Sequence, residues 1–308
     1  MKRSEPNDLA ASVANRLLQH ARRTGEDYQF ILLRYALERL MYRLSQSSHA
    51  EDFILKGAML YVVWTGTAYR PTKDLDFLAR DSASVEQLAT VFREVCEVAV
   101  LKDAMVFLPE SVSAEAIREE AAYQGVRVKF EGRLGKIKLP LQVDIGFGDV
   151  VTPKAEKAEF PPLLDFPAPR LSMYGRETVM AEKFEAMVML GFGNSRMKDY
   201  YDIWTLSREF EFDGSVLSAA IRATFKRRKT DFPVGVPVGL SAEFGADTMK
   251  RQQWQGFVRR GRLKTRDVDL NTVVEAIREF VTPVVAAAVE AKKLNAHWPK
   301  GGPWKTNR

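Results

Sequence analysis

One cysteine stands among the 308 residues, so no internal disulfide can form and packing alone must hold the fold. That residue, Cys96, has Val95 and Val98 beside it and reads as a buried thiol, not a nucleophile. Three histidines, His20, His49 and His297, lie too far apart in the chain to suggest a zinc site. No apolar run reaches the roughly 18 residues that spanning a bilayer takes. The first nine residues are polar and lack the apolar centre of a signal peptide. These absences point to a reducing, cytoplasmic compartment with no membrane partner. Internal repeats and long low-complexity tracts are missing too.

What is present is an ordinary globular composition. Hydrophobic residues make up 46% and charged residues 28%, enough for a sizeable core without staples. The length is that of about two domains. A net charge of +6 favours a polyanionic partner without specifying one.

Helical spacing of Leu9, Val13, Leu17 and Leu18 predicts a helix over 8–24, and Ile31, Leu32, Tyr35, Leu40, Met41 and Leu44 predict a second over 26–46. The period then changes. Phe53-Ile-Leu55 reads as a strand closed by Lys56-Gly57, with a helix resuming over 58–64. Leu75, Phe77 and Leu78 mark a second strand in which Asp74 and Asp76 are interleaved. A helix over 85–98 and strands over 126–132 and 139–147 follow. Pro161, Pro162, Pro167 and Pro169 read as a linker. The domains are therefore expected at 1–165, with the strands and N-terminal helices, and at 166–308, mainly helical. Helices are expected at 176–190, 199–210, 216–226, 246–258 and 271–294, and the tail after His297 is expected to be loosely ordered.

Asp74-Leu-Asp76 is the sharpest chemical feature. Alternate strand residues share a face, so both carboxylates project together while Leu75 and Phe77 turn inward. Two adjacent carboxylates repel unless a cation lies between them. Mg2+ is such a cation, and it takes one or two carboxylates together with substrate phosphates. A bare Asp-x-Asp is more often a solvated strand end, but here its surroundings count. The turn at Lys56-Gly57-Ala58 opens a helix, where backbone N–H groups form an anion nest that glycine leaves open to phosphate. Asp144, on a later strand, supplies the third carboxylate that two-metal phosphoryl-transfer sites commonly use. Arg70 and Thr72, just before Asp74, join the nucleotide-binding candidates, Arg70 as a bidentate phosphate partner.

These residues carry a resemblance. Phe53-Ile-Leu-Lys-Gly-Ala-Met-Leu60 with Arg70-Pro-Thr-Lys-Asp-Leu-Asp76 resembles the first motif of the AbiEii/AbiGii toxin family, within the DNA polymerase β-like nucleotidyltransferase superfamily. Asp144 stands where the superfamily has its third strand acid. Glu182-Lys183 resembles the family's essential-lysine motif, and Arg196-Met-Lys-Asp-Tyr-Tyr-Asp-Ile203 its closing Arg-x-Lys-Asp-x-x-Asp motif. Many members have Gly-Ser or Gly-Gly where this chain has Gly57-Ala58, so a serine contact to phosphate is missing while the backbone N–H groups remain.

The resemblance implies an α+β fold: a polymerase β-like mixed sheet with flanking helices, followed by a mainly helical C-terminal domain. It implies an NTP donor, Mg2+ (or Mn2+ in its place), release of pyrophosphate, an RNA acceptor such as tRNA, and a toxin role beside a cognate antitoxin encoded nearby. Asp74, Asp76, Lys183 and Asp199 would be catalytic, with Asp74, Asp76 and Asp144 on the metal. Lys183 would neutralise charge on the triphosphate. Asp199 would orient Lys183 or the incoming hydroxyl, with Arg196 and Asp202 as support; Asp199 and Asp202 share a helix face at their three-residue spacing. Two basic runs, containing Lys226, Arg227 and Arg228 and then Arg259 and Arg260, are candidates for RNA binding. Trp254 and Phe257 fit a helix core better than a base-stacking platform. The alternatives are a kinase-like toxin that phosphorylates a protein, and a non-catalytic nucleotide-binding module.

Overall fold

The structure, a computed structural model, describes residues 6–67, 70–118, 124–263, 265 and 267–307. Two helices open the chain, α1 (Pro6–Thr24) and α2 (Tyr28–Gln46). The Asp27 carboxylate caps α2 by accepting the Gln29 N–H at 2.9 Å. Strand β1 (Phe53–Lys56) runs through one 3-10 turn at Gly57–Met59 into a short helix, α3 (Leu60–Thr65), which ends at left-handed Gly66. Then come β2 (Asp74–Ala79), α4 (Val85–Glu97), β3 (Met105–Phe107), β4 (Ser113–Arg118), β5 (Gln124–Leu134) and β6 (Ile137–Phe147). A reciprocal Ser84/Gln87 capping box fixes the start of α4.

Two short strands, β7 (Glu156–Glu159) and β8 (Arg170–Met173), complete the sheet in the order β3-β5-β6-β2-β1-β8-β7, with β4 also paired to β5. Strand β2 is parallel to β6 and antiparallel to β1, and β1 is parallel to β8. The sheet is mixed, as the resemblance implied. Its proline-rich segment is not a linker. It spans the two strands of an antiparallel pair, and β8 docks on β1.

The two faces of the sheet differ in kind. Leu55, Phe77, Ile145 and Val126 lie in one cross-strand row, and Leu75, Val143 and Val128 in the next. All seven are buried. Helix α2 packs on β6 and β8, and α4 on β4 and β5. Edge and tilted ring contacts join Phe53 to Phe77 and Phe92, and Phe92 to Phe130. Each such side chain, fully buried, contributes about 1.5–3 kcal/mol. Cys96 lies in this core, its thiol pushed up to about 12 by burial. The intervening residues, among them Asp74, Asp76 and Asp144, occupy the opposite face.

Helix α2 also carries a buried ion pair. Glu38 and Arg39 are both fully buried, 2.7 Å apart, and Glu38 accepts the Leu163 N–H at 2.8 Å. Burial outweighs the attraction of Arg39 and pushes the Glu38 carboxyl up to about 7.

The chain divides into two compact units. The first runs through Gly148 and resumes for Glu156–Met173; the second takes Asp149–Ala155 and everything from Tyr174 on. The boundary expected at residue 165 falls within the first unit, where β8 is still part of the sheet.

The second unit is mainly helical: α5 (Arg176–Leu190), α6 (Met197–Glu209), α7 (Gly214–Arg228), α8 (Ala242–Ala246), α9 (Thr248–Gly261) and α10 (Leu270–Val289). Helix α5 packs on α6 and α7, and α10 on α6, α7 and α8. Trp254 is buried against Tyr201 and donates its indole N–H to the Val268 carbonyl, a core role. Contrary to expectation, the tail is ordered. Strands β10 (Ala296–Trp298) and β11 (Lys305–Thr306) pair in a small sheet with β9 (Phe212–Asp213). Trp298 and Trp304 pack on Phe280, and the Trp298 N–H reaches the Ser207 carbonyl at 2.6 Å. Among the described residues no helix is long and apolar enough to cross a membrane.

Candidate active site

The polar face of the sheet gathers the first set of expected residues. Asp76 lies opposite Lys56 of β1 on one side and Asp144 of β6 on the other, and Asp144 lies opposite Arg127 of β5. One row therefore reads Lys56, Asp76, Asp144, Arg127. Two residues back along β2, Asp74 lies opposite Gln142. Asp74 and Asp76 are half-buried, while Leu75 and Phe77 between and beyond them are buried, as the alternation predicted.

The turn after β1 meets this row directly. Gly57 has φ +76°, a conformation that only glycine adopts without strain. A Cβ placed there would lie 2.0 Å from Asp76 Oδ2. The turn backbone and the Asp76 carboxylate are thus in direct contact, and any side chain at position 57 would displace the acid. Thr72, just upstream, donates its hydroxyl to the Asp74 carbonyl at 3.3 Å and so braces the start of β2. Arg70 is half-buried.

Asp144 is engaged. Arg127 clasps it bidentately, Nε to Oδ1 at 2.8 Å and Nη2 to Oδ2 at 2.7 Å, and Gln142 Nε2 lies 3.2 and 3.3 Å from the same two oxygens. No local pattern signals this clasp, because Arg127 becomes Asp144's neighbour only through strand register. Its guanidinium is held above its ordinary pKa, chiefly by the hydrogen bonds to Asp144, against some burial. Among the described residues no group of three or more His, Cys, Asp or Glu side chains is arranged to hold a metal ion. Two half-buried carboxylates on one face nonetheless match the one or two carboxylates that Mg2+ takes.

The other expected residues form a second group in the second unit. Lys183, on α5, places Nζ 2.6 Å from Asp199 Oδ1 and 2.8 Å from Asp202 Oδ2, both on α6. Asp199 and Asp202 are almost wholly buried. Arg196 Nε lies 2.9 Å from Asp199 Oδ2, close enough to pair electrostatically but out of line for a hydrogen bond. Burial alone would raise the Asp199 carboxyl; Lys183, Arg196 and Lys198 outweigh it and hold it below the usual range. Lysine serves two acids here, so Asp202 is as much its partner as Asp199.

Lys226, Arg227, Arg259 and Arg260 are exposed. Arg228 is not part of that surface, and the RNA-binding assignment for it is corrected. Its side chain turns inward between Asp149 at 3.1 Å, Glu185 at 2.7 Å and Glu182 at 3.5 Å. Burial alone would lower its pKa; the three acids outweigh burial and raise it. Their separation in sequence hid the hub, which ties the Asp149–Ala155 segment to α5 and α7.

No curated protein sequence matches the chain significantly. Among solved structures, a Helicobacter pylori protein provisionally described as a nucleotidyltransferase is similar, with a TM-score of 0.50 and 12% identity over 87% of this chain and all of that one. A second, JHP933 from Helicobacter pylori, has a TM-score of 0.46 and 12% identity, over 86% of this chain and 95% of its own. At such identity the first likeness concerns the fold. The family model described as "Nucleotidyl transferase AbiEii toxin, Type IV TA system" matches residues 39–289, which include both groups of acids and Lys183. The chain belongs to the AbiEii nucleotidyltransferase toxin family.

Proposed function

We propose that this protein transfers a nucleoside monophosphate from an NTP to an RNA acceptor, with tRNA the first acceptor to test, and that it acts in the cytoplasm as the toxin of a pair whose antitoxin is encoded nearby. The observation that carries the reading is the contact between the Gly57 turn and the Asp76 carboxylate on the face shared with Asp74. It sets the glycine turn, the expected phosphate contact, against a pair of acids suited to a divalent cation.

Asp74 and Asp76 would hold Mg2+, or Mn2+ in its place, with Asp144 as a third ligand. When bound, the ion supplies charge neutralisation at the α-phosphoryl group and lowers the pKa of the attacking hydroxyl. The backbone at Gly57 and Ala58 receives the phosphates, with Lys56 just before that turn and Arg70 and Thr72 just before Asp74 as further nucleotide contacts. The part of Lys183 and Asp199 in the reaction rests on the family motif: an ammonium that offsets charge on the departing pyrophosphate, and a carboxylate that orients it. Arg196 and Asp202 steady that pair. Exposed Lys226, Arg227, Arg259 and Arg260 offer cationic surface to an RNA backbone.

The test is incubation of the purified protein with total RNA, Mg2+ and each NTP in turn, labelled at the α- or the γ-phosphate. Incorporation of α-label into RNA, lost in Asp74→Ala and Asp76→Ala variants of unchanged circular dichroism, is the expected result. γ-Label on protein, or full α-label incorporation in both variants, would overturn the reading.

A further inference from the structure

Adjacent strands lie about 4.8 Å apart, and like charges directly opposite destabilise a sheet. Asp76 and Asp144 are such a pair, with Asp74 two residues away on the same face. The row in which they stand ends in a cation on each side, Lys56 next to Asp76 and Arg127 next to Asp144. Arg127 engages Asp144 with a two-point clasp at 2.8 and 2.7 Å, the geometry in which an arginine fork takes both carboxylate oxygens at once. Gln142 approaches the same oxygens. Of the other acids that attract Arg127, Glu115 across the strand pair is itself bound to Lys129 at 2.6 Å, and Asp74 acts on it by charge. The two-point clasp directs the Arg127 fork to Asp144.

We infer that Arg127 is an internal counter-cation for the third acid: it holds Asp144 away from the cation, so a bare divalent ion meets Asp74 and Asp76 without it. Arg127 is a positioning residue in this scheme. It sets the affinity for the ion. The inference rests on the assignment of Asp74 and Asp76 to the cation.

The test uses the full chain and Mn2+ alone, without nucleotide, titrated by calorimetry and followed by the loss of the free-ion electron paramagnetic resonance signal. Arg127→Gln frees Asp144, so Mn2+ should bind about tenfold tighter or more, the weight of one charge-assisted hydrogen bond. The double variant Arg127→Gln/Asp144→Asn should lose that gain, because the gain requires the freed carboxylate. Arg127→Lys keeps the charge but gives up the fork, and should fall between wild type and Arg127→Gln. Should Arg127→Gln not fold, Arg127→Lys decides: tighter binding than wild type supports the inference, and equal or weaker binding overturns it. Asp76→Asn separates the two claims. If it loses Mn2+ while Arg127→Gln binds as wild type does, the role of Arg127 alone is overturned. If Asp76→Asn binds Mn2+ unchanged, the cation assignment fails and this inference fails with it.

Discussion

Gly57→Ala is the sharpest single perturbation of this site. Two costs arise from it. The φ of +76° lies in the left-handed region, where an added Cβ costs about 1–2 kcal/mol. The new Cβ would also lie 2.0 Å from Asp76 Oδ2, so the carboxylate must withdraw by about 1.4 Å to reach ordinary contact at 3.4 Å. Asp76 is fixed in the middle of a strand paired on both sides, so the motion falls on its side chain and takes it off the position it shares with Asp74. Gly66→Ala separates the two costs. Gly66 has nearly the same φ, +73°, with nothing within 4 Å of the added Cβ. Both variants should lose about 1–2 kcal/mol in urea denaturation. Only Gly57→Ala should also lose Mn2+ binding and nucleotidyl transfer, by about 100-fold if a misplacement near 1 Å carries its usual weight. Full transfer by Gly57→Ala, or equal losses of transfer in the two variants, would refute the argument that the turn and the acid form one site.

Lys183→Met removes the cation that buried Asp199 and Asp202 share and should cost roughly 3–5 kcal/mol in denaturation, with Asp199→Asn/Asp202→Asn in the same background recovering a large part. Glu38 gives a pH signature: its folded value of about 7 exceeds the unfolded 4.5, so the folded state binds the extra proton. Its contribution is complete below pH 4.5 and is lost as pH rises through 7, an effect of up to about 3 kcal/mol. Urea titrations across that window should therefore be flatter in Glu38→Gln than in wild type. Arg259→Glu/Arg260→Glu should weaken RNA binding and lower the slope of log K against log salt by about 0.7 for each single-strand phosphate that the protein no longer neutralises; an unchanged slope would remove these residues from the interface.

The sequence by itself determined the parts governed by short-range periodicity and local chemistry. Helical spacing marks α1, α2, α4 and α5 near their observed ends, a short apolar run marks β1, and alternation marks β2 and the acids on one face of it. Gly57 is legible because a strand that turns at once into a helix needs a residue free to take positive φ. Strands β3, β4, β7 and β8 are not legible, since they are short and carry neither the apolar run of β1 nor the interleaved acids of β2, and only pairing with β1, β5 and each other makes them strands. The order of the tail is hidden for a related reason: its tryptophans become fixed by packing on Phe280 of a distant helix. Tertiary structure alone decided the clasp of Arg127 on Asp144, the hold of Lys183 on both Asp199 and Asp202, and the inward turn of Arg228 out of a basic run. Each is a charge that settles where long-range register or helix packing brings an opposite charge within about 3 Å, and a linear sequence does not carry that distance.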